Sequence, residues 1–142
     1  MGTPKAIGWR APFNLIFSAG PNAALLTLPD VSIWCADADA EIVWAAEQHQ
    51  VLGTDGSAVT ADLVKVADGT IVGSGTSLLA STFNLKATVA TWQKRTLSAG
   101  TLAADRIIYA GQRLAINFGG TMTAVAGVNI TVVLNRLNRP SW

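Results

Sequence analysis

Charge is scarce in this 142-residue chain: Asp, Glu, Lys and Arg together make up 13% of it, about half the usual share, against 50% hydrophobic residues. A surface so poor in ions is weakly solubilised, which points to faces that meet protein and not water. The net charge of +1 excludes a global field that would draw in nucleic acid or an anionic membrane, so neither is an expected partner. With one cysteine, Cys35, there is no intrachain disulfide, and with one histidine, His49, there is no Cys/His cluster for zinc. Cys35 is expected to behave as a small buried hydrophobe. A single histidine also leaves only one position for the commonest general base. No apolar run approaches the roughly 18 residues of a membrane span. The opening MGTPKAIGWRAPFNLIF has no clean apolar stretch followed by a small-residue cleavage site, so no secretory signal is expected. Ala6 stands where a myristoylation signal needs Ser or Thr.

What the chain does have is period-two alternation. From Gly111 to Leu134, GQRLAINFGGTMTAVAGVNITVVL, Leu114, Ile116 and Phe118 alternate with Arg113, Ala115 and Asn117, and Val128, Ile130 and Val132 alternate with Asn129 and Thr131. This is the pattern of strands with one buried face, and the glycine-rich link between them predicts a strand pair. Further strands are expected at Phe13 to Phe17, Ala24 to Leu28, Val31 to Cys35 and Ala58 to Val66. Glu41 to Val51 is ambiguous between helix and strand and is read as strand. Asp-Gly steps at Asp55 and Asp68 mark turns. About eight β-segments with no long amphipathic helix read as an all-β fold, an antiparallel β-sandwich of jelly-roll-like type. Residues 13–137 form that single domain. Residues 1–12, with Gly2, Pro4, Gly8 and Pro12, form an extended N-terminal arm, and residues 138–142 a polar C-terminal tail.

The chain is poor in catalytic motifs. The aspartates of the Asp37–Ala40 stretch, DADA, lack the further oxygen ligands and the glycine turn of a calcium loop, so a solvated turn is expected and no metal. GTIVGSGT, from Gly69 to Thr76, has glycines but no Gly-Lys-Ser/Thr step opening a helix, so it reads as a flexible connection and not a phosphate site. On a strand Glu41, Val43, Ala45, Glu47 and His49 share one face, which brings Glu47 beside His49. With no nucleophile or third partner this pair is read as surface hydrogen bonding. No cofactor and no catalytic residue are assigned. The candidate protein-interface residues are Trp9 and Arg10 on the arm, Trp92, Lys94 and Arg95 in the one compact basic stretch, and Trp142 in the tail. Aromatics beside arginine anchor interfaces, and five tryptophans against one tyrosine are the kind of aromatic excess interface cores use.

The order of SAVTADLVKVADGT, GTSLLASTFNLKATVATWQKRTL and AADRIIYAGQRLAINFGGTMTAVAGVNITVVLNRL, within Ser57 to Leu137, resembles small virion proteins of tailed bacteriophages, above all head decoration (cement) proteins. The resemblance implies a non-enzymatic β-sandwich homotrimer on the outer capsid surface, bound to the major capsid protein and stabilising the shell. Three rivals stand beside it: a receptor- or glycan-binding fibre tip, a small hydrolase on a jelly-roll scaffold, and a carbohydrate-binding module. The last would show a planar row of tryptophans on one sheet face.

Overall fold

The computed structural model describes residues 11–19, 30–97 and 106–137. These form two antiparallel five-stranded sheets packed face to face, the expected all-β sandwich. The first sheet holds β1 (Ala11–Ser18), β10 (Asn129–Arg136), β3 (Ala40–Gln48) and β7 (Gln93–Arg95) in that order, with β8 (Ile107–Ile108) also on β3. The second holds β2 (Asp30–Cys35), β9 (Arg113–Gly119), β4 (Thr60–Val66) and β5 (Thr76–Ser77), with β6 (Phe83–Asn84) also on β4. Alternation supplies the core: Ile42, Ile130, Val132 and Leu134 from the first sheet meet Leu63, Phe83, Leu114, Ile116 and Phe118 from the second. Removing such apolar area from water is the main force holding the two layers together.

The strands of the Gly111–Leu134 stretch form as their periodicity predicts, yet they do not pair with each other. β9 lies between β2 and β4, whereas β10 lies between β1 and β3 in the opposite sheet. Alternation reports one buried face per strand, and that face is the same whether the partner strand is adjacent or across the core. The link between β9 and β10 is long enough to cross the sandwich, and it buries Met122 and Val125 on the way. Gly120 is indispensable to the crossing: its φ is +81°, and a Cβ there would lie 2.0 Å from the Ala58 carbonyl oxygen.

The chain also changes sheets between β3 and β4, so the Asp55–Gly56 turn belongs to a crossover and not to a hairpin. Both crossovers meet at one end of the sandwich. There the Asp55 carboxylate accepts from the Ser57 hydroxyl at 2.8 Å and the Thr121 N–H at 3.2 Å, and these bonds hold its pKa down to about 2.

The second sheet covers its own outer face. Val64, Val66 and Ala115 point outward there, and a 3-10 turn at Val72–Ser74 lays Val72 on them. A Cβ on Gly75 would come within 2.9 Å of Val64, so glycine is what lets this segment lie flat. The glycine-rich connection is therefore a packed cover and not a flexible link. Its polar neighbours are paired as well: the Ser77 hydroxyl donates to Asp62 at 2.8 Å, and Arg113 donates to the Ser32 hydroxyl and the Thr70 carbonyl.

Cys35, expected in the core, is exposed at the end of edge strand β2. The two aspartates at the Asp37–Ala40 corner are engaged by other groups. Asp37 pairs with Arg136 at 3.1 Å, and Asp39 accepts from the Ala110 N–H at 2.9 Å. Pairing of β1 with β10 begins at Ala11↔Arg136 and Pro12↔Asn135, and proline is tolerated because β1 is an edge strand. The rest of the expected arm, the 24–28 strand, and the tail beyond 137 lie outside the described residues.

Candidate protein-binding face

The outer face of the first sheet is built by the strand residues that alternate away from the core. Cross-strand rows can be read from the register: Ile16 faces Thr131, Thr131 faces Ala46, and Ala46 faces Lys94; beside them Asn14 faces Val133, which faces Trp44. Of the large apolar side chains that stay exposed, Ile16 (64%), Val43 (43%) and Trp92 (52%) belong to this region. Among the described residues no segment of the chain lies over this face as the 3-10 turn lies over the other.

A β-bulge decides which residues of β3 reach it. Val133 pairs with Trp44 and Leu134 with Ile42, so Val43 is the extra residue. Ile42 and Ala45 are therefore both buried, while Val43 and Trp44 sit side by side facing outward. The single face expected for Glu41, Val43, Ala45, Glu47 and His49 is split by this bulge. Glu41 and Val43 turn outward, whereas Ala45, Glu47 and His49 turn into the core. Period-two reasoning carries no signal for a bulge, so it gives no reason to place Trp44 on this face.

Lys94 stands over the Trp44 ring at 5.1 Å, a cation–π contact. Trp44 and Lys94 border two clefts. One, of about 350 Å³, is closed by Trp92, Ala46 and Thr131; the other, of about 500 Å³, by Val43, Leu97 and Arg106 among others. Both volumes lie in the range of binding clefts. Arg95, next to Lys94 on the same strand, points the other way: its guanidinium donates to the Thr82 carbonyl at 3.1 Å and to Gln93 at 3.0 Å. So the structure brings Trp92 and Lys94 together, adds Val43, Trp44 and Arg106 to them, and ties Arg95, which also lines the larger cleft, to Thr82 and Gln93. Trp9, Arg10 and Trp142 lie outside the described residues.

Beneath this face sits a sealed polar cluster. Glu47 and His49 are both 0% exposed, and Glu47 Oε1 lies 2.9 Å from His49 Nδ1. His49 Nε2 is 3.0 Å from the Ala87 carbonyl oxygen, which can only accept, so Nε2 carries a proton. One further proton is then shared between Nδ1 and Oε1, and the pair is neutral overall whichever atom holds it. Neutrality is what lets the pair remain buried. Burial pushes the Glu47 pKa above its ordinary 4.5, while His49, the Gln93 amide and Arg95 pull it back. The expected pairing of Glu47 with His49 is present, but inside the core and not at the surface.

This cluster has a positioning role. Ala90 N–H donates to the His49 carbonyl at 2.8 Å, and Gln93 donates to Glu47 Oε2 and to the Asn84 carbonyl, each at 2.8 Å. The loop from Leu85 to Trp92 is thus fastened at its middle by His49 and at its end by Glu47, with Ala90 held at a φ of +54°. Trp92 is placed beside Trp44 by these bonds. A base sealed this way has both ring nitrogens occupied and no open path to a substrate, so it fits a structural role.

The two-sheet fold resembles that of solved chains of very different sequence. It is found in two bacteriophage capsids. A chain of the cyanophage Pam1 capsid asymmetric unit superposes with a TM-score of 0.51 at 11% identity, over 96% of this chain and 91% of that one. A chain of the capsid of Ralstonia phage GP4 superposes with a TM-score of 0.55 at 18% identity, over 99% of this chain and 91% of that one. At such identities the likeness is one of fold. No protein-family profile and no curated protein sequence matches the chain.

Proposed function

We propose that this protein is a non-enzymatic structural component of a bacteriophage virion, and within it a decoration (cement) protein. In this reading a homotrimer adheres to the outer surface of the major capsid protein lattice and stabilises the head. The observation that carries it is the face around Trp44 and Trp92, over which no described segment lies, on a sandwich whose opposite face carries its own 3-10 turn. The fold comparison supports it: both phage chains are capsid components, and mutual coverage above nine-tenths makes them close to this chain in length. A small subunit repeated over a lattice binds by avidity, so a modest contact per copy suffices.

Trp44 and Trp92 on one sheet face also favour the glycan-binding alternative, but beyond their own indole N–H groups the cleft between them offers a sugar only the Thr131 hydroxyl and the Lys94 ammonium among its described lining side chains. That is too few for the polar anchoring a carbohydrate needs. The test is to add purified protein to phage heads that lack it and to measure copies bound and head survival under heat. Saturation at hundreds of copies with a raised disruption temperature is expected; a handful of copies, or no gain in head survival, rejects the cement role.

A further inference from the structure

We propose that the two clefts around Trp44 form one docking site for an extended acidic segment of a partner protein. An apolar side chain of that segment enters between Trp44 and Trp92, and a carboxylate two residues along lies between Lys94 and Arg106. The proposal rests on the reading of this face as the attachment surface and names the chemistry of what attaches.

Three observations converge on it. The smaller cleft has tryptophan walls and an alanine floor, with little to satisfy a polar guest. The larger cleft is lined by Lys94, Arg95 and Arg106, with the Arg95 guanidinium bonded to Thr82 and Gln93, and by no carboxylate among its described lining residues, so its charge complement is an anion. Trp44 and Lys94 belong to both clefts, and Lys94 is held at their junction by the Trp44 ring. Groups filling the two clefts would therefore adjoin, as neighbours on one ligand do. In an extended chain, side chains two residues apart share a face at roughly 7 Å, which suits adjoining clefts. Single-stranded nucleic acid could also stack on tryptophans, but three cations in one cleft make a poor backbone track and the whole chain carries only +1.

The probe is a synthetic extended peptide with phenylalanine and glutamate two residues apart, titrated into the full chain and followed by tryptophan fluorescence. Binding is expected to weaken about tenfold on Lys94→Glu or Arg106→Glu. Replacing the peptide's glutamate by lysine should abolish binding to the parent and recover it on the charge-reversed variants. Trp92→Ala should weaken both peptides. Thermal melts establish that each variant is folded. Peptide binding indifferent to both charge reversals overturns the proposal, and so does an oligonucleotide that binds more tightly and is released by the same variants. Head attachment separates the two readings. Variants that decorate heads as well as the parent remove this docking site and leave the cement role standing. The charge-swap pattern in a chain that never attaches to heads does the reverse.

Discussion

The two outer faces of this sandwich solve the same problem in different ways. Each sheet puts apolar side chains on its outward side. The second sheet places Val72 over Val64, Val66 and Ala115 and gives its outward Asp62 and Arg113 hydrogen-bond partners. The first sheet leaves Ile16, Val43 and Trp92 exposed and covers the half-buried Trp44 only with the Lys94 side chain among the described residues, yet it invests a buried ionisable pair in holding the Trp92 loop still. A chain with 13% charged residues has few ions to spread over its surface, so where apolar groups stay exposed says more than that they are exposed. One face is covered by its own chain, with Ile71 at the edge of the turn left 74% exposed; the other gathers several exposed apolar side chains around two clefts, the composition of half an interface.

This contrast can be broken experimentally. The largest effect is expected on the covered face. Val64→Asp puts a carboxylate under the 3-10 turn, at a position 1% exposed, and should cost roughly 2–7 kcal/mol in urea unfolding. A stable, normally folded Val64→Asp protein would mean that the cover is loose and the contrast false.

The buried pair gives a smaller, pH-dependent effect. Because the folded pKa of Glu47 is raised, its contribution to stability is complete below 4.5 and is lost as pH rises through the folded value. Glu47→Gln cannot lose that proton, and its amide can still bridge His49 and Gln93. The stability of the parent relative to Glu47→Gln should therefore fall as pH rises through the folded value. Parallel stability curves from pH 4.5 to 8 would show that the pair does not sense protons. Asp55 has the opposite sign: its stabilising contribution is present above 3.8 and fades as pH falls toward about 2.

The smallest effect is expected on the uncovered face. Ile16→Thr, at 64% exposure on an edge strand, should change the melting free energy of the isolated chain by less than about 0.5 kcal/mol. A loss of several times that would mean that this position is packed within the chain after all.

Much of the fold was legible in the residues. The alternation in Arg113–Gly119 and Asn129–Arg136 located two strands, and GTDGS marked a true change of direction. The candidate face was legible only in part, through Trp92 and Lys94. Trp44 was hidden because one extra residue in β3 shifts the inside–outside phase, and nothing in AEIVWAAEQ announces the bulge. Cys35 was misplaced because its residue type favours burial, whereas its position at the end of an edge strand exposes it.

What the sequence determined by itself was class and periodicity: local alternation, turn residues and the scarcity of charge are short-range properties that a reader can sum along the chain. Which strands are neighbours, and which face of a strand is left bare, are decided by contacts between residues far apart in sequence. β9 and β10 have the pattern of a hairpin, and only the packing of β1 and β3 around one and of β2 and β4 around the other sends them to opposite sheets. The same packing turns Glu47 and His49 from a surface pair into a sealed one, because a bulge opposite Val133 and Leu134 chooses the side on which they lie.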